Sequence, residues 1–300
     1  MASKYFNTPA TKNNPKMVDA PPAPTLGALG TLTPEQVKRM AARPKIFIGI
    51  PCHDSRFHSN FAMSIFDLVA SNKYELALTK TSSGGITKAR NDLVYRFLKG
   101  NWDYLLFADT DIQFNHHHLD QLLARNKDIV GGMYCHKKLD LAWSANHLKD
   151  AVPVENLQEV AGLGFGFILI KRIVFTTMME KMPELRFKET WSDGRGEWKY
   201  GFFQEQIVWD KEAGRIDPEW YTEDWFFTHN ARKLGFKIYC DNNFYLQHHE
   251  GGSNYPMDQM FPVVDALMDY AEGRWDEGKK AKETMQKALP GWLNGMKKNP

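Results

Sequence analysis

Between Lys45 and Tyr134 the hydrophobic period switches back and forth between that of a strand and that of a helix. "KIFIGIP" (45–51) is a short apolar run of strand length, and "HSNFAMSIFDLVASN" then places Phe61, Ile65, Leu68 and Val69 at helical spacing. "YELALTKT" (74–81) alternates like a strand. "ITKARNDLVYRFLKG" (86–100) is helical, apolar at Ile86, Leu93, Val94, Phe97 and Leu98, and closes at Gly100. "YLLFA" (104–108), "HHLDQLLARN" (117–126) and "DIVGGMY" (128–134) complete the order strand, helix, strand, helix, strand, helix, strand. Elements alternating at this length predict an α/β fold, a mostly parallel central sheet flanked by helices on both faces. Ligands of such sheets bind outside the carboxyl ends of the strands.

The remainder is less regular. "LGFGFILIKRIVFTTMME" (163–180) reads as a strand and then a short helix, and residues 185–222 read as loop crowded with aromatics. "TEDWFFTHNARKLGF" (222–236) is a helix ending at Gly235, followed by the strand-like "KIYCDNNFYLQHH" (237–249). With 300 residues, 43% hydrophobic and 13% aromatic, the chain can bury one large core. Three regions are expected. Residues 1–44, rich in Pro, Ala, Thr and Asn, form a disordered or loosely attached tail, in which Thr33 and Pro34 could open a short helix. Residues 45–255 form the domain, and 256–300 a helical extension carrying "MFPVVDALMDYAEG".

Charge and cysteines exclude several classes. Thirty-eight basic against 36 acidic residues give a net charge of +2, too little for a broad field toward nucleic acid or an anionic membrane. Cys52, Cys135 and Cys240 are odd in number and match neither a zinc motif nor a disulfide framework, so reduced thiols are expected. "LGFGFILI" is too short to span a bilayer, and no signal-peptide pattern stands at the N-terminus. A soluble cytoplasmic protein is the expectation.

The third strand ends in "ADTDIQF", with Asp109 and Asp111 two residues apart on the ligand-binding rim. Hard divalent cations prefer oxygen ligands and often share them with phosphates, so a strand-end Asp-x-Asp suits a metal–diphosphate site. The bland alternative is a turn whose side chains bond its own backbone. "NHHH" (115–118) looks like a metal tract, but consecutive histidines cannot all face one ion, and a solvated helix start is the better reading.

Other chemistry follows in order: Arg90 in "ARN", the Asp pair, the glycine-rich "GLGFGF" (162–167), Glu223-Asp224, and His249-Glu250-Gly251. "GLGFGF" lacks the G-x-G-x-x-G spacing of a dinucleotide fingerprint. The ordered set resembles the GT-A nucleotide-sugar-dependent glycosyltransferases, especially small family-2-like members from bacteria, phages and large viruses, over Lys45 to Tyr255.

The resemblance implies the following. Asp111 binds a divalent metal, Mn²⁺ or Mg²⁺, directly. Asp109 contacts the ribose or the metal's water shell, and His249 completes the metal site. Asp224 is the catalytic base of an inverting transfer, with Glu223 as the second candidate, although both acids would also suit a helix start after Thr222. Arg90 meets the diphosphate or nucleotide, or is a surface residue. Pro51, His53 and Asp54, after the first strand, line the nucleotide-base loop. Gly164 belongs to the strand lining the donor-sugar pocket. The donor is a nucleoside-diphosphate sugar, UDP-linked by preference, and the acceptor a hydroxyl on a glycan, a protein or a modified phage DNA base; the last gains no support from the charge. If the chain is viral, the compartment is the host cytoplasm. Trp191, Trp198, Trp209 and Trp220 are either sugar-stacking or packing residues. Two alternatives are a sugar nucleotidyltransferase of similar fold, which would carry a basic glycine-rich loop that "GIPCHDSRF" lacks, and a non-catalytic carbohydrate- or nucleotide-binding module, which would not need Asp224 and His249.

Overall fold

The structure is a computed structural model. It describes residues 43–256 except 53–55, 82–83, 136–143, 149–150, 152–153, 155, 210–216, 244–245 and 251–252. The expected tail, nearly all of the helix at its end, the C-terminal extension, and His53, Asp54 and Gly251 lie outside the described residues.

The elements in chain order are β1 (Lys45–Pro51), α1 (Ser59–Ala70), β2 (Glu75–Thr81), α2 (Ile86–Lys99), β3 (Tyr104–Ala108), β4 (Ile112–Gln113), α3 (His116–Arg125) and β5 (Ile129–Gly132). Then follow β6 (Ala145–His147), β7 (Leu157–Leu163), β8 (Phe167–Lys171), α4 (Arg172–Lys181), β9 (Arg186–Thr190), β10 (Gly196–Tyr200), β11 (Gln206–Val208) and β12 (Glu219–Tyr221). Last come α5 (Glu223–Lys233), β13 (Ile238–Asp241), β14 (Gln247–Glu250) and β15 (Ser253–Pro256).

An eight-stranded sheet has the order β2-β1-β3-β8-β5-β13-β7-β6. Six strands run one way; β8 and β7 run against their neighbours. The sheet is therefore mostly parallel in direction and mixed in pairing, an α/β architecture with helices on both faces. One core, with Leu93, Val94 and Phe97 of α2, Phe175 of α4 and Phe227 of α5, fills one face. The other, with Phe61 and Leu68 of α1 and Leu119 and Leu122 of α3, fills the opposite face. The first core is stacked with aromatics: Phe203 and Phe227 lie 5.0 Å apart at 11°, and Phe165 meets Phe227 edge-on at 5.3 Å.

Several elements differ from the expectations. The 163–170 stretch is not one strand: β7 ends at Leu163 and a turn at Phe165–Gly166 separates it from β8, which lies elsewhere in the sheet. The glycines belong to this crossing. A Cβ on Gly162 would lie 1.9 Å from the Trp225 ring, so only glycine admits that indole. Residues 185–222 hold two antiparallel ribbons, β9–β10 and β11–β12, rather than loop. "KIYCDNNFYLQHH" splits into β13 and β14. Val69 is 51% exposed because it lies one residue past the buried Leu68 stripe. Ile86, in the first turn of α2, is exposed because it borders a cleft.

Candidate active site

The cleft lies at the carboxyl ends of β1 and β3 and encloses about 200 Å³. Its walls include Pro51 at the end of β1 and Cys52 after it, Gly85 and Ile86 at the start of α2, and Asp109 and Asp111 after β3. Pro51 and the Asp pair thus meet where the sequence placed them. The first intrahelical bond of α2 is Ala89 N to Gly85 O, and Gly85 supplies no side-chain cap. Its first-turn N–H groups are therefore without helical partners beside the carboxylates.

The Asp-Thr-Asp loop is held by its backbone. Asp109 O accepts from Ile112 N (3.1 Å), Thr110 O from His58 N (3.0 Å) and Asp111 O from His249 N (2.9 Å). Asp109 N donates to Gly166 O at 3.0 Å. Distant segments fix this loop, so its position does not depend on carboxylates bonding their own turn. The side chains of Asp109 and Asp111 keep 28% and 32% of their surface exposed.

β14 pairs with β4, and His248 lies opposite Ile112. Successive strand residues face opposite sides, so His248 and His249 cannot point the same way. His248 Nε2 lies 3.7 Å from Asp111 Oδ1, and its Nδ1 is 2.7 Å from the Cys135 carbonyl oxygen. A carbonyl only accepts, so Nδ1 carries hydrogen; in the neutral ring the lone pair then sits on Nε2, toward Asp111. Metal-binding histidines are commonly oriented through their second nitrogen in this manner. His249 faces away and is 4% exposed. Its Nε2 lies 3.0 Å from Gln113 Oε1 and 3.3 Å from Asn60 Nδ2, and its ring stacks on His58 at 4.2 Å. The structure thus sets His248, not the expected His249, beside Asp111.

Carboxylate oxygens and an imidazole nitrogen are donor types that suit Mn²⁺ or Mg²⁺; Asp111 and His248 stand 3.7 Å apart, while Asp109 Oδ1 lies 3.5 Å from Arg90. The electrostatics agree. Burial, with Asp111 and Glu223 adding repulsion, raises the Asp109 carboxyl to about 6 against the pull of Arg90 and His248. A raised acid weakens the ion-free fold as pH climbs. Its contribution is full below the unfolded value of 3.8 and is lost as pH rises through about 6. In EDTA, Asp109→Asn should therefore be the more stable protein at pH 7, by about 1–2 kcal/mol after allowance for the partial exposure of the carboxylate. The difference should shrink toward pH 4 and diminish or reverse when Mn²⁺ is added. Thermal melts at pH 4 and 7, with and without Mn²⁺, check this.

Arg90 does not reach the cleft as a ligand for diphosphate. Its side chain is 4% exposed, with Nη1 2.6 Å from Glu223 Oε1 and Nη2 3.5 Å from Asp109 Oδ1. Burial opposes its charge, and the carboxylates of Asp109, Glu223 and Asp224 more than restore it. Glu223 is correspondingly engaged and 7% exposed, which removes it as a freely accessible base. Asp224, the next residue in the first turn of α5, is half-buried and accepts from Thr222 Oγ1. Gly164 lies against protein: its N–H donates to Ser144 O, and a Cβ there would fall 2.6 Å from the Tyr134 hydroxyl. The Tyr134 hydroxyl accepts from Gly166 N at 3.0 Å. This packing replaces the expected sugar contact at Gly164.

The histidine tract is a helix start. Asn115 caps α3 in a reciprocal box with His118, and burial pushes His118 down to about 4. His116, His117 and Asp120 present donors within 4.8 Å of one another, but Asp120 already binds Lys73 and Tyr74 and His116 binds Asp67. All four loop tryptophans are exposed: Trp191 by 43%, Trp198 by 55%, Trp209 by 57% and Trp220 by 62%. No helix among the described residues is long and apolar enough to cross a membrane.

No family model and no curated protein matches the chain. Among solved structures it is similar to A197 from STIV, at 18% identity and a TM-score of 0.43, over 69% of this chain and 86% of that one. It is also similar to S. aureus TarS 1-349, at 15% identity and a TM-score of 0.35, over 83% of this chain and 71% of that one. The same TarS segment in complex with UDP-GlcNAc matches at 16% identity and a TM-score of 0.37, over 82% and 71%. At these scores the matches identify no activity for this chain.

Proposed function

We propose that the protein is a metal-dependent glycosyltransferase that moves a sugar from a nucleoside diphosphate, UDP by preference, to an acceptor hydroxyl. The observation that carries the reading is the pairing of His248, oriented through the Cys135 carbonyl, with Asp111 in the cleft that Asp109 also lines. Asp109, Asp111 and His248 would hold Mn²⁺ or Mg²⁺, which when bound neutralises charge on the departing diphosphate. The open first turn of α2 offers N–H donors to phosphate oxygens at the same cleft. Asp224 takes the proton of the acceptor hydroxyl. The acceptor oxygen bonds to the anomeric carbon, and the carbon–oxygen bond to the diphosphate breaks with its electron pair leaving on the diphosphate. Attack from the side opposite the leaving group inverts the anomer. Trp220, exposed just before α5, offers a face for an acceptor sugar ring.

Calorimetric titration of UDP and GDP into the protein, with Mn²⁺ and in EDTA, tests the reading. Tight binding of UDP that requires Mn²⁺ is the expected result. Absence of metal-dependent binding with either nucleotide would sink it.

The two histidines should separate in the same assay. His248→Ala should weaken Mn²⁺-dependent UDP binding by roughly tenfold to a hundredfold. His249→Ala should leave that affinity within about threefold and lower stability by about 1–3 kcal/mol, because Gln113 and Asn60 lose a buried partner.

A further inference from the structure

A buried cation bridges the loop after β3 and the start of α5. Arg90 projects from α2 between the end of β3 and the start of α5. Its guanidinium lies 5.3 Å from the Phe165 ring centroid and 5.9 Å from that of Phe107, so aromatic walls shut it off from water. Its polar partners are unequal: Glu223 at 2.6 Å, Asp109 at 3.5 Å, and none for the buried Nε among the described residues.

As a stabilising device this is poor. A buried ion pair is weak evidence for stability, and an orphaned N–H adds cost. Its placement is more telling. Glu223 is the first residue of α5 and Asp224 the second. Asp109 is the first residue after β3. One rigid, planar group therefore fixes the opening turn of α5 against the carboxylate loop.

We infer that Arg90 and Glu223 are positioning residues, a strut that sets where the Asp224 carboxylate stands relative to the Asp109–Asp111 loop. The inference rests on the reading of Asp224 as base. The strut touches neither donor nor acceptor. Its removal misplaces Asp224 and leaves the metal ligands on a loop that backbone bonds hold independently. Small errors of placement in a reacting group are costly to rate.

Glu223→Gln keeps shape and hydrogen bonding while removing the charge that clamps Arg90. The assay is UDP release from UDP-glucose and UDP-N-acetylglucosamine with water as acceptor, read beside calorimetric Mn²⁺–UDP affinity and thermal melting. Glu223→Gln should lower kcat about tenfold to a hundredfold, with UDP affinity within about threefold and the melting temperature nearly unchanged. A stability-only role would move melting and spare the kcat of the folded protein. Adding Arg90→Met to Glu223→Gln should cost little further kcat, because both act through one contact. Should Arg90→Met alone fail to fold, Arg90→Lys replaces it, and partial recovery of kcat relative to Glu223→Gln is expected from the retained charge.

Three results overturn the strut: unchanged kcat in folded Glu223→Gln, a loss equal to that of Asp224→Asn, or multiplicative losses in the double variant. Wild-type protein that binds Mn²⁺ and UDP alongside any of these leaves the transferase reading intact. Wild-type protein that binds neither removes both.

Discussion

Asp111→Ala should abolish metal-dependent UDP binding, weakening it by about a hundredfold or more, without unfolding the protein. The argument has two parts. The chemical part is charge. On the proposed reading a divalent ion on this rim would take Asp109, Asp111 and His248 as protein donors, and Asp111 is the member that His248 Nε2 faces at 3.7 Å. Removing its carboxylate deletes a full negative charge from a hard-cation site, where oxygen donors dominate affinity. The structural part is that the loop does not lean on this side chain. Its three carbonyls are satisfied by backbone N–H groups of Ile112, His58 and His249, which alanine leaves in place. The far-UV spectrum and melting temperature in EDTA should therefore stay near wild type while the calorimetric signal with Mn²⁺ and UDP disappears. Asp109→Asn offers a useful contrast. It too should weaken the complex, yet it relieves the raised carboxyl and should melt higher than wild type in EDTA at pH 7. Retention of Mn²⁺-dependent affinity in Asp111→Ala would mean that the Asp pair is not the metal site.

The first half of the fold was legible because β1, β3 and β5 bury continuous apolar runs and the helices between them each bury one stripe. Ile46, Ile48, Leu105 and Leu106 are wholly buried, as are Leu93, Val94 and Phe97 on the facing helix, and such periods survive in the bare sequence. The ribbons β9–β10 and β11–β12 were not legible for the same reason in reverse. Most of their residues are exposed or half-buried, as the burial of β9 shows, so no alternation marks them. The position of the Asp pair on the cleft was legible because it directly follows an apolar strand run, whose carboxyl end faces the cleft. Which of His248 and His249 faces Asp111 was not, since it depends on the register of β14 against β4, a long-range pairing that no local pattern encodes. Arg90 and Glu223 looked like ligand and base for a related reason. Their ion pair closes between segments far apart in the chain, and only the folded structure shows each consuming the other.

Asp224→Asn should lower kcat for sugar transfer by about a thousandfold, within the range of about 10²–10⁴ expected of a positioned general base, and leave Mn²⁺–UDP affinity nearly unchanged. Of the two acids that open α5, only Asp224 fits. Glu223 is held at 2.6 Å by Arg90 under aromatic cover, so proton uptake there would break a buried ion pair. Asp224 is half-buried, with Oδ1 accepting from Trp225 N at 2.8 Å. Those bonds orient the carboxylate, and its second oxygen is the one available to an acceptor hydroxyl. The substitution is nearly isosteric and keeps an acceptor oxygen for Trp225 N and Thr222 Oγ1, so the start of α5 should persist. The loss should fall on kcat, because an amide cannot take the proton that the attacking oxygen must shed. The proposal assigns UDP affinity to the Asp109–Asp111–His248 rim, which the substitution does not touch. Parallel loss of UDP binding and turnover would place Asp224 in the metal site. Full activity would leave the base unassigned and would remove the reason for a strut that positions it.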